Sequence, residues 1–443
     1  MSYRDDFDID KLNKISPSFC LAKWLQVTID LCNGTTHSCH HPTRHQIPID
    51  ELEKNPSALH NTNFKKQQRK LMLEGQRPRE CAYCWKIEDT PGEHVSDRLI
   101  KSFDFWARPQ LEAISQLNWN QDVNPSYLEI MFSNKCNFRC SYCMADISSS
   151  IADEIQKHGL YNVKDPYHRS HRQRKRDIPT PNPFIKAFWE WFPLLVKDLK
   201  VLRITGGEPL LDENTFKIFA HLNDHPAPDL ILALNTNLGI SPKKINQTLK
   251  IISALEEGKC IKQFELYVSI DTWGEQAEYI RSGLNYKEFW RLVYSAIELN
   301  SNFIITFMST FSLLSIPNYK KLLEDILELK QHHRHVLLDI SYLRHPNYLS
   351  ANLIPVDFHP QVQACVEFMK SNHSNNTSGF TNYEINKLER IYNWLQITEN
   401  ELILKENRID FYSFIKEYDR RNNLNFIKTF PILEKFYKDC GAI

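Results

Sequence analysis

Short apolar runs alternate with amphipathic stretches through the middle of the chain. The runs over 126–133, 200–205, 230–236, 264–270, 303–309 and 336–343 are too short for helices and predict buried strands. Helical periodicity fills 184–198, 213–223, 241–257, 286–300 and 318–331. Strand and helix in turn give a parallel sheet with right-handed crossovers. Six such units curve like part of a TIM barrel open on one side, so the predicted class is α/β, a partial (β/α)6 barrel over 126–345. Ligands of such folds collect at the C-terminal strand ends.

The flanks read differently. Over 1–125 the pattern predicts a small cysteine-rich α+β module. Leu25 to Leu31 alternates like one arm of a hairpin, and Asn33-Gly34 supplies its turn. An amphipathic helix over 64–73 stops at Gly75, with Pro78 beyond. After a boundary near His345-Pro346, a helical extension over 346–443 carries helices at 357–371, 382–397 and 408–421, with a polar linker at 371–379.

Composition narrows the class. The 443 residues suffice for two or three domains, and 54 basic against 54 acidic residues imply no overall attraction to nucleic acid. A hydrophobic content of 42% suits a globular core. No run of about 18 apolar residues predicts a membrane span, and the acidic N-terminus does not read as a secretory signal. The eleven cysteines are odd in number and clustered, which points to a reducing cytoplasm and metal ligation rather than disulfides.

The chemistry concentrates at predicted strand ends. Cys136, Cys140 and Cys143 stand at C-x3-C-x2-C spacing directly after the first barrel strand. Three thiolates on one loop can hold three irons of a cubane and leave the fourth open; a zinc site would want a fourth nearby Cys or His, and the loop has none. After the second strand comes Gly206-Gly207-Glu208-Pro209, where glycines allow close backbone approach and Glu208 offers an acceptor for an ammonium group. Asn235 to Asn237 either line the site or form an Asx turn. Ser269 and Asp271 share one side of the fourth strand and suit a ribose diol, while Asp271 or Thr272 also suits a helix N-cap. Arg281 offers a planar fork for a carboxylate, or simply faces solvent.

Upstream stand Cys20, Cys32, Cys39-His40-His41 and Cys81-x2-Cys84, which by chemistry alone make either a small zinc site or a second Fe–S cluster. A basic insert at 168–176 is followed by Pro179, Pro181 and Pro183; it reads as a solvated loop, or as one that recognises an anionic substrate. Cys365 and Cys440 are isolated and read as structural.

The two barrel motifs, in this order and each after a strand, resemble the radical S-adenosylmethionine (SAM) superfamily. The resemblance implies a 4Fe–4S cluster on Cys136, Cys140 and Cys143, with SAM on the open iron. It implies SAM contacts from Tyr142, Gly206, Gly207, Glu208, Asn235, Ser269, Asp271 and Arg281. The N-terminal pattern, Phe19-Cys20-x3-Trp24, Asn33-Gly34 to Cys39, and Met72-Leu73-Glu74-Gly75-x2-Pro78-x2-Cys81-x2-Cys84-x3-Glu88, resembles the twitch or SPASM-type auxiliary module. That resemblance implies a second 4Fe–4S cluster on Cys20, Cys39, Cys81 and Cys84; the chain has Cys39-His40 where the pattern often has Cys-Cys, and ligation by His40, or by Cys32 in competition with Cys20, stays open. The module more often follows the catalytic domain, and here it comes first. The implied activity is reductive cleavage of SAM to a 5′-deoxyadenosyl radical, which abstracts hydrogen from a substrate, first of all a peptide or protein. The implied partners are that substrate and a reductant such as flavodoxin or ferredoxin. RNA or a phosphorylated small molecule is the alternative substrate, motivated by the basic insert; a zinc-binding interaction protein is the alternative class.

Overall fold

The computed structural model describes residues 9–90, 94–168, 178–376, 378–397 and 399–442. The strands are β1 (Gln26–Asp30), β2 (Thr35–His37), β3 (His45–Gln46), β4 (Tyr127–Met131), β5 (Arg139–Cys140), β6 (Val201–Thr205), β7 (Ala227–Thr236), β8 (Ile261–Ser269), β9 (Arg281–Ser282), β10 (Ile304–Phe311) and β11 (Val336–Tyr342). Nine of them form one sheet in the order β11-β10-β8-β7-β6-β4-β1-β2-β3, and β5 pairs with β9 in a separate ribbon. All pairings from β4 to β11 in the large sheet are parallel, as the strand–helix alternation predicts.

The hairpin at 25–37 forms as read, with Asp30 opposite Thr35 and Gly34 at φ +63°. What the pattern did not indicate is that β1 also pairs in parallel with β4, Gln26 opposite Tyr127 through Asp30 opposite Met131. The sheet therefore continues across the expected boundary at 125/126. Packing still separates the segments. Leu12, Phe19, Leu21, Trp24, Leu25, Met72, Trp106 and Ile114 form their own apolar cluster, which reaches the barrel through Val201, Tyr127 and Ile231. Val27 and Ile29 of β1 belong instead to the main core, with Leu128, Ile130, Leu202, Ile204, Leu232, Leu234, Leu266 and Val268.

Caps set the helix starts. Asn182 accepts from Phe184 N and Ile185 N ahead of Pro183–Leu195, Asp212 from Asn214 N ahead of Glu213–Asp224, and Asn285 from Glu288 N ahead of Tyr286–Leu299. Thr381 and Glu384 form a capping box at Asn382–Leu395. The same Glu384 carboxylate accepts from Leu338 N of β11 at 2.7 Å, so this helix covers the edge of the sheet. Among the helices that the pattern does not indicate are Ser149–His158 and Gly274–Ile280, and the long tail helix runs Glu401–Asn422. Among the described residues no helix is long and apolar enough to cross a membrane.

Candidate active site and the two cysteine sets

The loop leaving β4 carries Cys136, Cys140 and Cys143, and neighbouring segments hold its backbone. Cys136 N donates to Ser149 Oγ at 3.1 Å, and Ser150 Oγ donates to Cys136 O at 2.6 Å. Cys140 sits in β5 opposite Arg281 of β9, and Ser141 N donates to Ile280 O at 2.8 Å. The three thiols lie within electrostatic reach of one another. Burial, partly countered by Arg281 and reinforced by Cys136, pushes the Cys140 thiol up to about 12. Cys143 is raised by burial and then by Cys140 and Cys136.

Glycines make room for this loop. A Cβ at Gly207 would stand 2.3 Å from Lys135 O, and Glu208 N donates to Lys135 O at 2.7 Å. Phe138, 1% exposed, fills a slot where a Cβ on Gly239 or Gly283 would come within 2.1 or 2.7 Å of its ring. Gly283 also has φ +114°, a conformation that L side chains rarely adopt. Gly283→Ala is expected to cost about 1–3 kcal/mol through overpacking against Phe138, with backbone strain of similar size added. Urea unfolding of the apoprotein checks this; a loss under about 0.5 kcal/mol, the range of neutral surface changes, would overturn it.

Asp271 and Arg281 meet each other. Asp271 is fully buried, and its carboxylate lies 2.8 Å from Arg281 Nε and accepts from Arg281 Nη2 at 3.0 Å. It also accepts from Tyr142 OH at 2.9 Å and Thr310 N at 2.8 Å, so its acceptor sites are taken within the protein rather than presented to a ribose. Nor does it cap a helix: Gly274–Ile280 begins after Trp273 without a side-chain cap. Arg281 keeps Nη1 3.9 Å from Cys140 Sγ and its guanidinium 5.6 Å from the Tyr142 ring. Three of the expected SAM contacts, Asp271, Arg281 and Tyr142, thus meet one cysteine of the loop in a single hub.

Glu208 and Asn235 also have partners within the protein. Glu208, 1% exposed, accepts from Thr236 Oγ1, Asn237 N and Leu210 N at 2.8–3.1 Å instead of presenting its carboxylate to an ammonium group. Burial pushes its carboxyl up to about 7 despite these donors. Asn235 Oδ1 accepts from Arg203 Nε at 2.8 Å, on the concave face of the sheet. The Asx turn falls on Asn237, whose Oδ1 accepts from Gly239 N at 2.7 Å while its Nδ2 donates to Asn137 in the cysteine loop. Ser269 lies opposite Met308, at the strand end as expected.

Below the cysteine loop the concave face carries a charged belt. Arg203 stacks over the Tyr267 ring at 4.1 Å and lies 3.9 Å from Glu129, and Tyr267 OH donates to Glu265 at 2.8 Å. Arg203 and both carboxylates occupy alternate strand positions opposite to the apolar core. His40 lies within electrostatic reach of Glu129 and Arg203, so the module faces this belt.

Cys20, Cys39, Cys81 and Cys84 line one cavity together with Lys23, Ser38, Trp85, Asp97 and Arg98. Cys32 does not line it; its neighbours are Asp30, Asn134, Asp212 and Asp146. Among the described residues no three His, Cys, Asp or Glu converge as ligands of a single metal ion. The four thiols surround a space instead of meeting at a point.

Sequence reading passed over the tail. Tyr418 OH lies 2.7 Å from Arg139 O, Tyr279 OH donates to Asp419 at 2.7 Å, and Ser282 Oγ donates to Asn422 at 3.2 Å. The long tail helix therefore supports the β5–β9 ribbon that carries Cys140 and Arg281. Tyr167 OH likewise reaches Tyr142 O at 3.2 Å. No local signal marks these contacts. The basic run of the insert, 169–176, lies outside the described residues.

Residues 130–329 match the family model of the radical SAM superfamily. The chain is 32% identical over 111 residues to GTP 3',8-cyclase of Sulfurimonas denitrificans, and 30% identical over 124 residues to that of Helicobacter pylori. These stretches are 25% and 28% of this chain, and they span only 27% and 30% of those relatives. Among solved structures, native anSMEcpe with bound AdoMet is 18% identical with a TM-score of 0.33, covering 55% of this chain and 60% of that one. The matched range holds the cysteine loop, the glycine cradle and the strands from β6 to β10, so residues 130–329 carry a radical SAM domain.

Proposed function

We propose that this chain cleaves SAM reductively and starts a radical reaction on a peptide or protein, with a second iron–sulfur cluster in the four-cysteine cavity. The first cluster fits the residues present: three mutually coupled thiols stand on one loop, the hub arginine borders one of them, and Gly207 keeps the cradle clear of a Cβ. Cys136, Cys140 and Cys143 would hold it. When bound, cluster and SAM supply a 5′-deoxyadenosyl radical able to take hydrogen from an unactivated position.

The chain's own residues do the rest. The Asp271–Arg281 pair holds the guanidinium beside Cys140, and the N-terminal module closes the concave face against water. The observation that carries the substrate reading is the belt between the two cysteine sets. Glu129 and Glu265 outweigh Arg203 there, so the belt is formally anionic and rich in acceptors. That favours amide and ammonium donors of a peptide over a polyphosphate. A nucleotide or other small molecule is the second reading, favoured by the relatives named GTP 3',8-cyclase.

The test is 5′-deoxyadenosine formation by reconstituted protein given SAM, dithionite and a lysate of the producing organism. Stimulation that protease treatment of the lysate abolishes supports a peptide substrate. Stimulation that survives protease and is reproduced by GTP overturns it. Arg203→Leu should cut the stimulated part by roughly 10- to 100-fold, the worth of a charged hydrogen bond, and leave unstimulated SAM cleavage intact; equal loss of both would place Arg203 in the fold rather than at the substrate.

A further inference from the structure

Building on the reading that the four-cysteine cavity holds a second iron–sulfur cluster, we propose that Lys23, Lys65 and Arg69 are a buried counter-charge for it. They would hold the cluster in place and favour its reduced, more negative state. Lys23 is 2% exposed, and Lys65 and Arg69 are fully buried. Such cations are costly inside a protein unless an anion faces them.

The anions supplied by the chain fall short. Lys23 lines the cavity and pairs with Glu80. Lys65 and Arg69 stand one turn apart on the helix Asn63–Leu73. Lys65 Nζ lies 2.7 Å from His60 Nδ1, and His60 Nε2 lies 2.7 Å from Trp24 O and 3.1 Å from Arg69 Nη2; burial holds the imidazole well below its ordinary range, so it supplies no charge. Arg69 donates to Asn61 Oδ1 at 3.0 Å, Gln121 O at 3.3 Å and Lys23 O at 3.4 Å, none of them charged. Of the other carboxylates, Asp97 lines the cavity 2.7 Å from His41 Nε2, and Asp122, 40% exposed, bridges Lys66 at 2.5 Å. Arg98, also lining the cavity, is matched by Glu88 at 2.8 Å. Lys23, Lys65, Lys66 and Arg69 against Glu80, Asp97 and Asp122 leave a formal charge of one positive unit.

That excess has the sign an anionic cluster calls for. A cubane of charge 2+ held by four thiolates is a dianion, and one electron from an external reductant makes it a trianion. Both Lys23 and Lys65 lie within electrostatic reach of Cys39. Burial, with Arg69 and Lys23 beside it, holds the Lys65 amine well below its ordinary range, and Glu80 and Cys39 act in the opposite direction.

The experiment uses Cys136→Ala/Cys140→Ala/Cys143→Ala protein, in which only the second cluster can form, with and without Lys65→Met. In the apoprotein Lys65→Met should raise the melting temperature, because a buried amine without a counter-anion is removed. In the loaded protein the same change should lower the reduced-cluster EPR signal at a fixed poise by roughly tenfold, and should speed iron loss to a chelator. Arg69→Met carries the same readouts should Lys65→Met fail to fold. Destabilisation of both forms alike, or an unchanged reduced fraction, overturns the counter-charge while leaving the cluster reading intact. Absence of iron from the triple variant itself overturns the cluster reading, and this inference with it.

Discussion

Cys136→Ala/Cys140→Ala/Cys143→Ala should abolish 5′-deoxyadenosine formation and remove about four irons per chain, leaving about four on the other set. The expectation follows from geometry as much as from spacing. The three thiols are mutually coupled on one loop, while Cys20, Cys39, Cys81 and Cys84 line a separate cavity within the second apolar cluster. Iron and sulfide per chain after anaerobic reconstitution, with 5′-deoxyadenosine assayed alongside, is the measurement. Four irons falling to none would remove the second cluster and keep the radical chemistry. No iron and no SAM cleavage in the unaltered protein would sink the enzymatic reading.

Asp271→Ala should destabilise the apoprotein by about 3–5 kcal/mol, the usual result of stripping one partner from a buried ion pair. Arg281 is 7% exposed and would lose its carboxylate, while Tyr142 OH and Thr310 N would lose their acceptor. The β5–β9 ribbon rests on the same arginine, so iron binding by the cysteine loop should weaken as well. Asp271→Ala/Arg281→Leu removes the orphaned charge, and it should be no less stable than Asp271→Ala alone. Urea midpoints of the three proteins decide the matter. A single variant within 1 kcal/mol of the unaltered protein, or a double variant clearly worse than the single, would show that the pair is not the hub described here.

Much of the architecture is readable from local pattern. The six barrel strands lie within a few residues of their apolar runs, because a period of two against 3.6 is written in consecutive side chains. The C-x3-C-x2-C loop and Gly206-Gly207 are legible for the same reason. Thiols three and four residues apart must share a loop, and a glycine announces a backbone that comes close to something.

Other features stayed hidden. Ser269 and Asp271 could be placed on one side of a strand, but not Asp271 in the grip of Arg281 and Tyr142. Glu208 read as a ligand acceptor became an internal one, because Thr236 and Asn237 arrive from the next strand. The Phe138 slot joins positions 138, 239 and 283, and the Tyr418–Arg139 contact spans 279 residues.

The sequence by itself determined the strand–helix alternation, the two cysteine spacings and the glycine turn, since each depends on geometry within a few residues. Only the tertiary structure decided which acceptor each charged side chain found, that β1 joins the barrel sheet, and that the tail supports the cysteine loop. Those outcomes depend on which distant segments pack together, and a buried charge takes the partner that packing delivers.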